Sequence, residues 1–462
     1  MTAAVFDREL IERYDGRGPR YTSYPTAVQL QSGFGEAEYR EQVRLAHAEA
    51  GAAPLSIYIH IPFCHALCYY CGCSKIVTRN RERADQYLTA LVREISLQGE
   101  LFSHDRTVRQ LHLGGGTPTY FDHGQMSRLL EALNTHFSLE ADDSREFSIE
   151  VDPRTVSPAD IAALARQGFN RISMGVQDFE PDVQAAINRL QSAEETRALV
   201  EAARATGFGS VSLDLIYGLP LQTVAGFDRT LDRVLEMRPD RLAIYSYAHL
   251  PKLFNAQKLI PEEHMPAPAV KLEILRNTIE RLTDAGYVYI GMDHFALAED
   301  ELTKAQRRGE LQRNFQGYST HAHCDLIAIG MTAISHVGHS YSQNAKEIKT
   351  YEQLLAEGRL PIQRGLVMTA DDQIRGAVIQ DIMCQGQLDL ARVEERFGID
   401  SKDYFAAEWE QLRQLAADGL LDLKPNALTV SSRGRLLLRA IAMVFDRYLS
   451  ADRERKTFSK II

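Results

Sequence analysis

Four of the six cysteines in the chain fall within ten residues, at Cys64, Cys68, Cys71 and Cys73, in the run His60-Ile61-Pro62-Phe63-Cys64-His65-Ala66-Leu67-Cys68-Tyr69-Tyr70-Cys71-Gly72-Cys73. Thiolates packed this densely are soft ligands on one short loop, the arrangement that holds iron-sulfur clusters. A structural zinc site takes two ligands from one knuckle and two from a distant second one. The remaining cysteines, Cys324 and Cys384, form no second knuckle. The spacing Cys-x3-Cys-x2-Cys of Cys64, Cys68 and Cys71 can hold three irons of a 4Fe-4S cubane and leave the fourth without a protein ligand, open to bind and reduce a small molecule.

That three-cysteine spacing resembles the signature of radical S-adenosylmethionine (SAM) enzymes. There the methionine end of SAM chelates the open iron, and one electron splits the sulfonium to release a 5′-deoxyadenosyl radical. Cys73 offers a fourth thiolate that would close the cluster and turn a catalyst into an electron carrier. We place it outside the ligand set, because Cys71-Gly72-Cys73 is tight for two thiolates on one cubane and other segments call for an adenosyl cofactor. A disulfide pair or a set of buried thiols is the bland reading, and the spacing and the expected compartment argue against it.

The first residues, Met1 to Arg8, carry no basic stretch followed by an apolar one, so export is not expected, and no uncharged apolar run approaches the roughly 20 residues of a membrane helix. A cytoplasmic, disulfide-free protein follows as the expectation. With 462 residues, two or three domains are expected. A net charge of -10 gives no general attraction to nucleic acid or anionic lipid.

These cysteines must be positioned by the elements around them. Apolar, β-branched runs at residues 55–62, 110–113, 146–151, 171–176, 210–216 and 241–247 alternate with helical patterns such as 84–102, 193–206 and 224–237. This βα repeat predicts a parallel sheet curled into an open, partial (β/α)6 barrel, since about six units are too few to close eight strands. Functional residues then belong at the C-terminal strand ends. The cysteine loop follows the first strand, and Gly114-Gly115-Gly116-Thr117-Pro118-Thr119 follows the second. Glu150-Val151-Asp152-Pro153 ends the third, Gly175-Val176-Gln177-Asp178 ends the fourth, and Asp214-Leu215-Ile216-Tyr217-Gly218-Leu219-Pro220 lies in the fifth. Singly, each polar residue reads as a cap or turn former. Their recurrence at one end of successive strands favours a ligand pocket.

The expected organisation is an N-terminal extended segment over 1–53 covering the active site, the barrel over 54–300, its completion over 301–364 and a mainly helical domain over 365–462. Helical patterns at 390–397 and 404–421, a strand-like 422–430 and a helix from Ser432 look similar to a winged helix, which raises nucleic-acid binding. Glu394, Glu395, Glu408, Glu410 and Asp418 deny those helices a basic face, so the domain reads as a cover on the barrel. The basic run Arg453-Glu454-Arg455-Lys456 is too short to change this.

Over nearly its full length the chain resembles the oxygen-independent coproporphyrinogen III oxidases (dehydrogenases) of tetrapyrrole biosynthesis. Beyond the cysteine run, the resemblance rests on Pro19-Arg20-Tyr21-Thr22-Ser23-Tyr24-Pro25-Thr26, Gly114 to Tyr120, Ser173-Met174-Gly175-Val176-Gln177-Asp178-Phe179, Asp214 to Pro220, Gly291-Met292-Asp293-His294-Phe295 and Arg313-Asn314-Phe315-Gln316-Gly317-Tyr318. It implies a 4Fe-4S cluster on Cys64, Cys68 and Cys71 and two SAM molecules. Tyr58, Gly115, Glu150 and Ile334 would contact the cluster-bound one, and Tyr70, Gly116, Thr117, Gln177, Arg189, Asp214 and Ala248 the second. It implies no catalytic side chain, because the cofactor carries the radical chemistry. The reaction would be oxidative decarboxylation of the ring A and B propionates of coproporphyrinogen III to vinyl groups. It would be fed by an electron donor such as flavodoxin or ferredoxin and drained by an unspecified acceptor, in a cytoplasmic monomer binding neither nucleic acid nor membrane. Arg20, Tyr21 and Tyr24 are expected over the barrel mouth, with Arg20, Arg313 and Asn314 as donors to the substrate. Two rivals share the signature: haem chaperones, which lack the fourth cysteine and the Arg-Tyr-Thr-Ser-Tyr-Pro segment, and a radical SAM methyltransferase of haem breakdown.

Overall fold

The computed structural model describes residues 4–49, 53–102, 106–321, 323–449 and 460. Ala322 and the basic run 453–456 lie outside them. The first strand, β1 (Leu55–Ile61), shows how the sheet is specified. Leu55, Ile57, Ile59 and Ile61 are all 0% exposed on one face, while Ser56, Tyr58 and His60 alternate onto the other. Each fully buried isoleucine contributes roughly 1.5–3 kcal/mol. The polar row is left to line whatever the sheet encloses.

Five more parallel strands follow in chain order: β2 (Thr107–Gly115), β3 (Glu146–Val151), β4 (Arg171–Gln177), β5 (Ser210–Tyr217) and β6 (Arg241–Ser246). β2 runs past its expected ends, because Arg109 at one and Gly114 and Gly115 at the other are residue types that do not signal a strand. Beyond β6 lie the antiparallel β7 (Tyr287–Gly291) and β8 (His294–Leu297). On the other side of β1 comes a seventh parallel strand, β9 (Asp325–Ile329), where six were expected, with Ile57 opposite Ile327. The antiparallel β10 (Ile334–Val337), β11 (Ser340–Asn344) and β12 (Ile362–Val367) complete the order β7-β8-β6-β5-β4-β3-β2-β1-β9-β10-β11-β12. The two ends do not pair with each other, so the barrel is open.

Helix α1 (Glu82–Gly99) covers the outer face with a stripe of Ala84, Tyr87, Leu88, Leu91, Glu94, Ile95 and Gln98, the i, i+3, i+4, i+7 pattern of an amphipathic helix. Glu94, 0% exposed within that stripe, is the exception. Its carboxylate accepts from the Gly330 N–H (2.8 Å), Asn344 Nδ2 (2.7 Å) and the Tyr351 hydroxyl (2.5 Å). Tyr87 beside it donates to the His60 carbonyl (2.9 Å) and accepts from the Met331 N–H (2.9 Å). Together they clamp the end of β9 to the end of β1. Gly330 is required there: its φ is +104°, and a Cβ would sit 2.7 Å from the His60 carbonyl oxygen.

Burial pushes the Glu94 carboxyl up to about 7, against the three hydrogen bonds that favour its charge. A folded-state value above the unfolded one means the fold binds the proton more tightly. This stability is fully present below the unfolded carboxyl value and is lost as pH rises toward 7. Glu94→Gln mimics the protonated side chain. Its melting temperature relative to the unsubstituted protein is expected to rise between pH 5 and 8, an increment on the order of 3 kcal/mol at most. A parallel pH dependence of the two proteins in differential scanning calorimetry would show that Glu94 does not titrate there.

The C-terminal region packs a second core. Helix α2 (Ala370–Gln385) contributes Ile374, Val378, Ile379 and Ile382, joined by Leu412, Leu428, Leu438 and Phe445. The expected strand-like 422–430 is two strands, Leu421–Lys424 and Ala427–Val430, because Pro425-Asn426 turns the chain. The second pairs also with Gln387–Asp389. The helix expected at 404–421 spans Ala406–Ala417.

The N-terminal region departs from its expected irregularity, with helices at Arg8–Tyr14 and Glu36–Ala48. Asp7 caps the first by accepting from the Leu10 N–H (3.1 Å). Among the described residues no helix is long and apolar enough to cross a membrane.

Candidate functional site

β1 stops where Pro62 removes a backbone donor, and residues 63–73 form the cysteine loop. Neighbouring segments fix it. The Gly116 N–H donates to the Ile61 carbonyl (2.9 Å), Thr117 N–H to Phe63 (2.8 Å), Thr78 N–H to Cys64 (3.1 Å) and Tyr69 N–H to Ile187 (3.0 Å). Asn188 Nδ2 reaches the Leu67 carbonyl at 2.8 Å. Gly116 lies so close to the loop that a Cβ would meet the Pro62 oxygen at 2.6 Å, which explains a glycine where only backbone fits.

Cys68 is buried, Cys64 and Cys71 are half-buried, and Cys73 is exposed. Arg154 Nη2 and Arg189 Nη1 lie 3.5 and 3.4 Å from the Cys68 sulfur, and the Thr117 hydroxyl 3.6 Å from that of Cys64. Lys75 Nζ donates to the Cys71 carbonyl (2.8 Å). Burial pushes the Cys64 thiol up to about 11, whereas hydrogen bonding from Cys73, aided by Lys75, draws Cys71 down to about 5. Three soft ligands ringed by cations and N–H donors suit an anionic iron-sulfur cluster.

Behind the loop, the interior rows of the strands converge. Tyr58 stacks on His112 with ring centroids 5.8 Å apart and planes at 16°. Glu150 Oε1 lies 3.2 Å from His112 Nε2, and Oε2 accepts from the Gly115 N–H (3.1 Å). Burial opposes the charge on Glu150, but the His112 hydrogen bond and charge and the Gly115 N–H outweigh it and hold the carboxyl below its ordinary range. Asp214 accepts from the Ser173 hydroxyl (3.1 Å). Burial, then the Glu150 charge, push its carboxyl up to about 7. Two carboxyls with opposed shifts share this chamber. A Cβ on Gly114 would strike the Glu150 carboxylate at 2.9 Å, and one on Gly115, at φ +116°, the His60 ring at 2.6 Å.

Arg189, expected at the second SAM, forks onto Asp152 at 3.2 and 3.3 Å and donates to the Gly175 carbonyl (2.5 Å). Its buried Nε has no partner. Arg154 grips the other side of Asp152 (2.6 Å), and the two guanidiniums outweigh burial to hold that carboxyl low. Gln177, at φ +68°, ends β4 beside this group, within 2.7 Å of where a Gly175 Cβ would be. Gln257 donates from one amide nitrogen to the carbonyls of Tyr70 (2.9 Å) and Ala248 (3.3 Å), joining two expected site residues. Ile334 opens β10 on the far side of β1 and β9.

The N-terminal residues enter differently from one another. Tyr21 is 2% exposed with its hydroxyl on Asp446 (3.0 Å), and Tyr24 is 4% exposed and accepts from the Arg447 N–H (3.1 Å). Both are packed into the C-terminal core; Tyr21 does not face the barrel mouth as expected, whereas Tyr24 also lines the cavity described below. Arg20 alone turns inward, paired with Asp293 and 6.0 Å from the Tyr245 ring. Arg313, 4% exposed, donates to the Arg20 carbonyl (3.4 Å), lies 4.9 Å from the Tyr318 ring and keeps Nη1 without a partner. Burial and the Arg313 charge lower the proton affinity of Arg20, and burial with both arginines does the same to His294. Next to them a cavity of about 860 Å³ runs between Ser56, Gln110, His336, Tyr341 and helix α2, within the range that accommodates a large organic ligand.

Sequence reasoning did not single out His112, Arg154, Lys75 and Gln257. His112 carried a signal, as a polar residue alternating with buried leucines in β2. Arg154 and Gln257 reach the site from short 3-10 helices, Pro153–Thr155 and Asn255–Leu259; Arg154 directly follows the strand end at 150–153, whereas no local pattern marks Gln257.

A family model described as the radical SAM superfamily matches residues 58–234, and one described as the HemN C-terminal domain matches residues 368–437. The chain is 50% identical over 458 residues to an oxygen-independent coproporphyrinogen III oxidase of Pseudomonas aeruginosa, covering 99% of each. It is 49% identical over 457 residues to the protein of that name from Escherichia coli, covering 99% of this chain and 98% of the other. The solved structure of coproporphyrinogen III oxidase from Escherichia coli, described as a radical SAM enzyme, superposes with a TM-score of 0.91 at 47% identity, covering 97% of this chain and 100% of that one.

Proposed function

Because the chain belongs to the oxygen-independent coproporphyrinogen III oxidases of the radical SAM superfamily, we propose that its open barrel seats two SAM molecules beside one cluster and holds the substrate through Arg20 and Arg313. The reaction is the anaerobic oxidative decarboxylation of the ring A and B propionates of coproporphyrinogen III, giving protoporphyrinogen IX in haem biosynthesis. Cys64, Cys68 and Cys71 would hold a 4Fe-4S cluster, which with SAM would supply the radical chemistry needed at the propionate β-carbon. Each propionate gives up one carbon dioxide, one hydrogen atom that the radical takes, and one proton and one electron, the electron passing to an acceptor. We place the protein in the cytoplasm as a monomer.

The chain's own residues bind, orient and exclude water. On the cluster side, Tyr58 offers an aromatic face, Gly115 a close backbone approach and Ile334 an apolar wall, while Glu150, ionised at neutral pH, accepts from an amino or ribose group. Tyr70, Gly116, Thr117, Gln177, Arg189, Asp214 and Ala248 take the second SAM. The unpartnered Arg189 Nε and the singly bonded Asp214 provide one donor and one acceptor there. One observation carries the substrate reading: the buried Arg313, its Nη1 without a partner, lies against a partly exposed Arg20 that is paired to Asp293. Buried charge demands a counter-charge, and a tetracarboxylate brings it.

The direct test is anaerobic incubation of the reconstituted protein with coproporphyrinogen III, SAM and dithionite, read by product mass. Loss of two carbon dioxides and four hydrogens is expected. Binding should approach two SAM per cluster, and Asp214→Ala should weaken one site about ten- to a hundredfold, as the loss of a charge-assisted contact of about 1.5–3 kcal/mol predicts. One SAM per cluster, tight haem binding and no protoporphyrinogen would favour the chaperone reading instead.

A further inference from the structure

Helix α2 turns one side to the cavity of about 860 Å³, with Gln373, Gly376, Ala377, Gln380, Asp381 and Gln385 at the three- and four-residue steps of a single helix face. Most polar groups there are already engaged. Gln380 exchanges hydrogen bonds with the Arg313 backbone at 2.7 and 3.3 Å, Gln385 donates to the Leu311 carbonyl (2.9 Å), and Asp372 accepts from the Tyr448 hydroxyl (2.9 Å) and pairs with Arg447. Asp381 differs. It is half-buried on the cavity wall and has neither a hydrogen bond nor an ion pair among the described residues. Burial pushes its carboxyl up to about 6, against the pull of Arg392 and Arg396 on the helix Leu390–Phe397. A carboxylate drawn out of water without a partner is costly, so its place on this wall points to a ligand that brings donors.

The opposite wall is aromatic. His336 stacks on Tyr341 with ring centroids 4.4 Å apart and planes at 20°, and Phe315 meets the Tyr341 ring edge-on at 6.0 Å. Across from them Gly376 and Ala377 present only backbone and a methyl group, which leaves the width of a ring system between the two walls. Cations line the same space: Arg313 with its unpartnered Nη1, and the exposed Arg392 and Arg396. Of the other carboxylates lining it, Glu310 and Asp372 are paired with Arg308 and Arg447, and Glu395 is exposed. Ser56 and Gln110, also on its walls, stand two residues before Tyr58 and His112 on β1 and β2, about 7 Å along the strands. The cavity therefore lies directly below the chamber that holds Glu150 and Asp214.

We propose that this cavity seats the porphyrinogen macrocycle, with Asp381 accepting from its pyrrole N–H groups and Arg313, Arg392 and Arg396 facing the propionates that are retained. The proposal rests on the coproporphyrinogen reading and deepens it by naming the residue that selects the reduced ring. In a porphyrinogen all four nitrogens are N–H donors, and the tetrahedral carbons between the pyrroles let them tip toward one face and converge on a carboxylate. The oxidised porphyrin is flat, with two N–H donors and two nitrogen lone pairs that repel an anion. A buried acceptor built for N–H groups rejects the analogue that lacks them.

The test uses the cluster-loaded full chain with S-adenosylhomocysteine in place of SAM, so that nothing turns over. Anaerobic equilibrium dialysis measures binding of coproporphyrinogen III, and fluorescence anisotropy that of coproporphyrin III, which carries the same four carboxylates. The unsubstituted protein should prefer the reduced ring. In Asp381→Ala the dissociation constant for coproporphyrinogen should rise on the order of tenfold to a hundredfold, while that for coproporphyrin moves by about threefold or less. Cluster absorption and SAM binding should stay as they are. Ala377→Phe narrows the space between the walls and should weaken both rings together. Unchanged coproporphyrinogen affinity in Asp381→Ala would overturn the proposal, as would an equal loss for both rings, which marks a structural role, or equal affinity of the unsubstituted protein for the two. Full binding of both rings by Ala377→Phe with its cluster intact would put the macrocycle elsewhere. Protoporphyrinogen formation by the unsubstituted chain tests the enzymatic reading by itself, whatever the two affinities show.

Discussion

Replacing Cys64, Cys68 or Cys71 with Ser is expected to remove the cluster's visible absorption and take protoporphyrinogen formation to background, whereas Cys73→Ser keeps both the iron and SAM cleavage. Only an iron without a protein ligand can chelate SAM, so three thiolates must bind and a fourth must not. The geometry agrees with this division. Cys64, Cys68 and Cys71 are at least partly enclosed and face Thr117, Arg154, Arg189 and Lys75, while Cys73 is exposed with its N–H 3.4 Å from the Cys71 sulfur. An exposed cysteine replaced by its oxygen analogue changes stability by about 0.5 kcal/mol or less. Iron content, the absorption spectrum and 5′-deoxyadenosine release read the outcome. Loss of the cluster in Cys73→Ser together with its retention in Cys64→Ser would sink the ligand assignment.

Deleting residues 1–30 should abolish decarboxylation while leaving cluster absorption, since the cysteine loop hangs from β1, and it should also loosen the C-terminal domain. Point variants separate the two effects. Arg20→Gln keeps the packing and removes the charge, so KM for coproporphyrinogen should rise about ten- to a hundredfold, the loss of a charge-assisted contact of about 1.5–3 kcal/mol, and Arg20→Lys should recover part of it. Tyr21→Ala empties a space in the second core and should cost about 3–5 kcal/mol in thermal unfolding. Full turnover by the truncated protein would reduce the segment to packing. An unchanged KM in Arg20→Gln would remove Arg20 from substrate binding.

The parallel strands were legible because each pairs buried β-branched residues with flanking turn formers, a local pattern. The antiparallel return through β10, β11 and β12 was not, since β11 is Ser340-Tyr341-Ser342-Gln343-Asn344, buried at every position and polar at most. Its burial comes from neighbours on both sides, which a short window does not contain. The cysteine run and the strand-end carboxylates were visible as residue types at the ends of strands. Tyr21 misled for the opposite reason: an aromatic residue between prolines looks the same whether it covers a ligand or fills a core, and Asp446, more than 400 residues away, decides. The Arg189–Asp152–Arg154 bridge depends likewise on a turn that only the folded sheet brings near Cys68.

The pairing of β1 with β9 sets an order of events during synthesis. The cysteines leave the ribosome early, but the neighbour on the outer side of β1 arrives about 270 residues later. At typical elongation rates that delay is on the order of 15–50 s. Until then β1 is an edge strand of isoleucines with unpaired backbone groups, the type of segment that recruits other chains. Closing so long a loop is slow as well as late. Nascent chains stalled before residue 325 should therefore aggregate through β1 unless a chaperone holds it, until β9 seals the strand that leads into the cysteine loop.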